Sequence, residues 1–261
     1  MLADDRFKRI CDLVNEKGAV RVTELSELLG VSEVTIRRDL ENLAREKRLQ
    51  RTHGGALSMH PVGDEITAPE LIRNHRHVEE KRLIARVAYD MINEKDTLFM
   101  DGSSTVNELA RLIARENRKR LFIITPSMSI VSALQEVESV SVIMVGGEVN
   151  YRIGHVEGAL ATESIRNMRA DKCFIGINGV DQSFGFSFPR LIEIDLKGSM
   201  MRSSRQSIIL ADHTKFGRVY MARLNTRCDC VITDTRLKDY DYQWLMDECT
   251  LLFADEKIDK E

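Results

Sequence analysis

Apolar positions at spacings of three and four organise the first fifty residues. Phe7, Ile10 and Val14, with Cys11 beside them, form one stripe of a helix that Lys17-Gly18 brings to an end. Thr23 is placed to N-cap a second short helix over 24–29, with Leu25, Leu28 and Leu29 facing inward and Gly30 closing it at positive φ. Ser32 caps a third helix, in which Ile36, Leu40 and Leu43 share one face while Arg38 and Arg45 project from the other. QRTHGGAL at 50–57 is polar and β-compatible around Gly54-Gly55, which suits a two-stranded ribbon with a glycine turn.

Residues 58–75 contain Pro61, Gly63 and Pro69 and carry no sustained period, so they read as a linker. Beyond them helical periods, over 78–92, 106–114 and 130–136, alternate with the apolar runs TLFMD, LFIIT and VSVIMVGG. KCFIGINGV, SIILAD, CVITD and LLFAD are further candidate strands. Strands that end in Asp, Thr or Gly and lead into helices predict an α/β fold with a mostly parallel, buried, Rossmann-like sheet. The expected organisation is a small head at 1–57, a linker at 58–75 and an α/β domain at 76–261.

Composition narrows the class. In 261 residues, 43% hydrophobic and 30% charged exclude a disordered or fibrous chain. No apolar run approaches the roughly 20 residues of a bilayer span, and the acidic start is unlike a secretory signal, so a cytoplasmic protein without membrane contact is expected. Five scattered cysteines then predict reduced thiols. The net charge of -3 hides a local asymmetry: 11 Lys and Arg face 10 Asp and Glu in residues 1–57, against 27 and 31 afterwards. Within 37–51 the bases clearly outnumber the acids.

A helix pair joined by a glycine turn, with arginines on the free face of the second helix and a glycine ribbon after it, has the geometry of a winged helix-turn-helix. Ser32 and Thr35 are placed to donate to phosphate or base edges, and Val34 to meet a thymine methyl. Arg38, central on the outward face, suits guanine or phosphate, and Arg37 on its flank suits the DNA backbone. Arg51 and His53 on the ribbon reach an adjacent groove or phosphate. The competing reading is a solvated basic helix on a three-helix bundle.

In the larger domain, Asp101, Gly102, Ser103, Ser104 and Thr105 stand between a strand and a helix, where amides, hydroxyls and the helix dipole converge on an anion. Thr125 and Ser127 end the next strand, and Gly146 and Gly147 permit close backbone approach at the one after. Asn178, Asp181, Lys197 and Lys215 supply polar groups for the rest of a phosphorylated sugar, the lysines neutralising phosphate. Plain helix caps and surface ion pairs, with Glu193 and Asp195 among them, are the alternative. Cys228 and Cys230 lack a second ligand pair and the six histidines lack metalloprotease spacing, so neither a metal nor a cofactor is expected.

VSEVTIRRDLENL followed by RLQRTHGGAL resembles the DNA-binding segment of the DeoR family of bacterial transcriptional regulators. DGSSTVNELA, TPS, GGEV, ADKCFIGINGVD, EIDLKGSMM and LADHTKFG resemble successive motifs of that family's sensor domain, itself similar in fold to ribose-5-phosphate isomerase. The resemblance extends to about residue 235, with Asn178 where the family often has aspartate and GFSFP in place of a smaller, more polar version. It implies a repressor of a carbohydrate operon, not an enzyme. Its partners would be a double-stranded DNA operator and a phosphorylated sugar, and it would act as a homodimer or homotetramer. Two rivals are a sugar-phosphate isomerase with an accessory DNA-binding head, using Asp181, Glu193 and Lys197 for acid–base work, and a DNA-binding scaffold without effector.

Overall fold

A computed structural model describes residues 3–17, 19–46, 48–52, 54–57, 73–74, 76–237 and 240–255. The chain divides into two compact units, Met1–Arg76 and His77–Glu261. His53 and all of the expected linker except 73 and 74 lie outside the described residues.

In the first unit, α1 (Ala3–Lys17), β1 (Ala19–Arg21), α2 (Val22–Leu29) and α3 (Glu33–Arg45) precede β2 (Gln50–Thr52) and β3 (Gly55–Leu57). The strands form an antiparallel sheet in the order β1-β3-β2, so the ribbon gains a third strand that the sequence pattern does not reveal. Gly55 is required by that pairing, because a Cβ there would lie 2.0 Å from the Val20 carbonyl oxygen. The chain passes directly from β1 into α2, whose Val22 amide bonds the Gly54 carbonyl at 2.9 Å. Thr23 therefore lies inside the helix and caps nothing; the cap position is Arg21, without a side-chain bond. Leu28 is also not an inward residue, being 55% exposed, because Val22, Leu25 and Leu29 already complete the buried stripe. Gly30 does close α2 in the left-handed region, at φ 63. Ile10, Val14, Leu25, Ile36, Leu40 and Leu43 form the core, each at most 1% exposed. Asp39 is buried on α3 and takes a bidentate contact from Arg6, at 2.5 and 3.2 Å, which ties α3 to α1.

The second unit is an α/β sandwich. In chain order its elements begin α4 (Val78–Asp90), β4 (Thr97–Met100), α5 (Ser104–Glu116), β5 (Leu121–Thr125), α6 (Met128–Leu134) and β6 (Val140–Met144). Next come β7 (Glu148–Asn150), β8 (His155–Glu157), α7 (Ala159–Arg166), β9 (Ala170–Gly176), β10 (Gly179–Asp181) and β11 (Gly185–Phe188). The unit closes with α8 (Leu191–Arg202), β12 (Ser204–Leu210), β13 (Ala222–Arg223), β14 (Cys230–Asp234), α9 (Gln243–Glu248) and β15 (Thr250–Ala254). Seven strands pair in the order β15-β14-β12-β9-β4-β5-β6, all parallel. Alternate residues of the central strands enter opposite cores. Phe99, Cys173, Ile175 and Ile209 pack with Ile165 of α7 and Met200 of α8, whereas Leu98, Phe174, Ile208 and Leu210 pack with Ile84, Leu109 and Ile130 of α4, α5 and α6. Burial on both faces explains why these strands read as unbroken apolar runs. Cys228 and Cys230 are buried thiols beside β14, as the isolated C-x-C suggests.

Parallel pairing has one consequence for chemistry: every strand delivers its C-terminal residues to the same sheet edge. Two antiparallel additions that the sequence did not announce sit outside the main sheet, the β7-β8 hairpin and the small β10-β11-β13 sheet.

Candidate DNA-reading face and effector crevice

Ser32 begins α3 as an N-cap, its Oγ accepting from the Thr35 amide at 3.3 Å and lying 2.9 Å from the Thr35 Oγ1. Val34 is 78% exposed on the same first turn. Arg37 pairs with Glu33 at 3.1 Å and Arg51 with Glu41 at 3.0 Å, all four side chains solvent-accessible. Ion pairs of that kind contribute about 0–1 kcal/mol, so either guanidinium can exchange its carboxylate for a phosphate at small cost. Arg38 is exposed and makes no ion pair among the described residues. The surface of α3 thus combines a free cation, an apolar side chain and a pair of hydroxyls.

At the sheet edge the residues after β4 form a buried polar network. Asp101 is 1% exposed. Its Oδ1 accepts from the Ser103 amide at 2.9 Å and its Oδ2 from the Gly176 amide at 3.1 Å, joining the ends of β4 and β9. Lys197 of α8 completes the set, with Nζ 2.9 Å from Asp101 Oδ2, 3.6 Å from Glu193 and 4.3 Å from the Phe188 ring centre. Burial alone would raise the Asp101 pKa; the Lys197 charge, with hydrogen bonds from Lys197 and Ser103, holds it below the usual carboxylate range. Asp101 and Lys197 therefore neutralise each other at the ends of β4 and β9, so the Lys197 charge expected to offset a phosphate is already met by a carboxylate.

Ser103 caps α5, its Oγ accepting from the Val106 amide at 3.4 Å. The amides of Ser104 and Thr105, at the first two helical positions, have no acceptor within the helix. Ser104 is half-buried and Thr105 is 5% exposed. His155, which the sequence reading did not single out, places Nε2 2.7 Å from the Gly102 carbonyl oxygen. A Cβ on Gly102 would stand 1.9 Å from that nitrogen, so glycine is needed here for the approach of a side chain. His155 also bridges to Ser127, which brings the β7-β8 hairpin onto the ends of β4 and β5. No spacing in the sequence signals that meeting, because it depends on the return of a hairpin.

The remaining predicted residues divide. Thr125 and Ser127 are both 0% exposed; the Ser127 amide donates to Thr125 Oγ1 at 3.1 Å, and Ser127 Oγ caps α6 through the Ile130 amide at 3.4 Å. Their hydroxyls shape the strand end from within. At Gly147 the close approach is made by the protein itself, a Cβ being 2.8 Å from Val156 Cγ1, whereas Gly146 has open space around it. Asn178 is half-buried just after β9. Asp181 turns its carboxylate into its own β10-β11 hairpin, accepting from Ser183 Oγ at 2.6 Å and from the Ser183 and Phe184 amides at 2.9 and 3.1 Å. Lys215 ends a short 3-10 helix, His213–Lys215, where its charge helps to hold the buried Asp212 ionised.

Comparison with known proteins matches the model of the DeoR C terminal sensor domain to residues 76–235 and that of the DeoR-like helix-turn-helix domain to residues 6–62. The chain belongs to the DeoR family. It is 34% identical to the HTH-type transcriptional regulator YulB of Bacillus subtilis, over 91% of each chain. It is 32% identical to the glycerol-3-phosphate regulon repressor of Escherichia coli, over 90% of this chain and 92% of that one. With the lactose phosphotransferase system repressor of Staphylococcus aureus it shares 33% identity, over 82% and 84%. This DeoR-family chain is accordingly a DNA-binding transcriptional regulator and not an isomerase. Among solved structures, ribose 5-phosphate isomerase A of Methanocaldococcus jannaschii aligns over 52% of this chain and 53% of its own, at a TM-score of 0.38 and 14% identity. Among the described residues, no helix is long and apolar enough to cross a membrane.

Proposed function

We propose that this regulator represses a carbohydrate operon and releases its operator when a phosphorylated sugar occupies the crevice at the start of α5. The observation that carries the effector reading is the start of α5: the Ser104 and Thr105 amides, without an acceptor in the helix, follow a carboxylate already neutralised by Lys197. An anion entering there meets donors and the positive end of a helix, with the Asp101 charge already offset by Lys197. The named relatives regulate glycerol-3-phosphate and lactose phosphotransferase genes, which is in keeping with a phosphorylated ligand.

On the DNA side, α3 enters the major groove with Ser32, Val34, Thr35 and Arg38 toward bases or phosphates and Arg37 toward the backbone, while Arg51 reaches from the wing. Two heads in register are needed to read a symmetric operator, so the working form is a homodimer or homotetramer. An effector that prefers the DNA-incompetent arrangement by about 1–3 kcal/mol changes operator affinity about 5–150-fold.

The test is Ser104→Asp, which sets a fixed anion at the phosphate position. The variant is expected to hold an operator fragment as the wild type does, yet to lose both calorimetric binding of phosphorylated sugars and operator release. A normal response of Ser104→Asp to a sugar phosphate that acts on the wild type moves the effector to another place.

A further inference from the structure

A second group of side chains at the sheet edge has no part in the phosphate site. His77 stands just before α4, Glu80 lies in its first turn, and His213 opens the short helix that follows β12. Each offers one ligand atom, and these atoms all lie within 4.8 Å of one another. His77 Nδ1 is 3.8 Å from Glu80 Oε1, and the His77 and His213 rings meet edge to face with centres 5.7 Å apart. Glu80 is 5% exposed.

The surroundings prepare this group for a cation. His213 Nδ1 lies 3.0 and 3.1 Å from the two carboxylate oxygens of Asp234, which is 2% exposed and also accepts the His213 amide at 2.8 Å. A carboxylate held on Nδ1 fixes the ring and its tautomer and leaves the Nε2 lone pair to a metal, the arrangement that orients metal-binding histidines. Asp212, next in the chain, is 0% exposed, and its Oδ2 has no hydrogen-bond partner. Arg236 competes for the carboxylate, donating to Glu80 Oε1, but its side chain is 59% exposed and can turn to water. A charged His77–Glu80 pair accounts for two members of the group and leaves the convergence of His213, already oriented by Asp234, without a purpose.

We infer that His77, Glu80 and His213 bind a divalent first-row transition metal ion of the zinc class, with Asp234 as the outer carboxylate. Two imidazoles and one carboxylate suit such ions, and three protein ligands leave at least one coordination position open. The inference does not rest on the phosphate reading of the α5 terminus, because none of its residues belongs to that site.

The experiment uses the full chain, stripped with a chelator, dialysed and titrated with Zn²⁺ by calorimetry and with Co²⁺ by visible absorption. One equivalent per chain is expected, with a cobalt spectrum lacking a thiolate charge-transfer band. His77→Ala and His213→Ala should abolish uptake, and Asp234→Asn should weaken it about 10–100-fold. Glu80→Gln, which keeps the side-chain shape, should lose binding while melting as the metal-free wild type does. The double variant Cys228→Ser, Cys230→Ser should bind as the wild type. Failure of the wild type to take up one equivalent overturns the inference. So does uptake that survives Glu80→Gln and both alanine variants, or that disappears with the two thiols.

Discussion

Asp101 and Lys197 meet at 2.9 Å on side chains only 2% and 8% exposed, one at the end of a central strand and the other on a covering helix. A buried pair is not in itself a large source of stability, since both ions are desolvated, but removal of one partner leaves the other uncompensated. Lys197→Met should therefore destabilise the chain by about 3–5 kcal/mol. Adding Asp101→Asn to it should recover part of that loss, as read by urea unfolding in a double-mutant cycle. A purely additive pair of losses would mean that the two charges do not depend on each other.

Acid should act on the sensor unit with a definite sign. Asp101 and Asp212 both have folded-state pKa values below the ordinary one, each opposed by burial and lowered by neighbouring lysines. The stabilisation they confer is complete above the unfolded-state pKa of about 3.9 and is lost as pH falls from there through the folded value, because the unfolded chain takes up protons first. Melting temperature measured downward from pH 5 should fall more gently in Asp212→Asn than in the wild type. Parallel pH curves for the two proteins would count against this source of acid sensitivity.

Gly102→Ala tests the contact between the crevice and the β7-β8 hairpin. A methyl group 1.9 Å from His155 Nε2 must expel the imidazole. Overpacking of this sort costs about 1–3 kcal/mol. Thermal unfolding should register that loss, and sugar-phosphate affinity should fall with it, whereas binding to a bare operator fragment should not change.

On the DNA side, Arg38→Ala should weaken binding to a selected operator by about 1–3 kcal/mol and relax preference at one base pair of each half-site. Arg37→Ala should weaken all sequences alike and reduce the salt slope by about one. Competition binding at several salt concentrations separates the two, and unchanged discrimination in Arg38→Ala removes its base-reading role.

The sequence by itself determined much of what depends on local period and local chemistry, though not the start of α2, where β1 runs directly into the helix and leaves Thr23 inside it. The three-residue and four-residue spacing around Ile36, Leu40 and Leu43, the Ser32 cap and the Gly30 stop specify α3 and its outward arginine without reference to the rest of the molecule. Apolar runs ending in Asp, Thr or Gly likewise announced a buried parallel sheet and the polar residues at its C-terminal edge. Tertiary structure decided which of the polar groups at that edge are still available. Lys197 is drawn to Asp101 because an ionised carboxylate cannot be buried alone, which does not follow from spacing. His155 at Gly102, and His213 beside His77 and Glu80, come together only when a hairpin and a parallel crossover return distant segments to one edge. Helix caps and periods are encoded within a few residues, whereas electrostatic pairing and close approach across the sheet are set by packing between segments far apart in the chain.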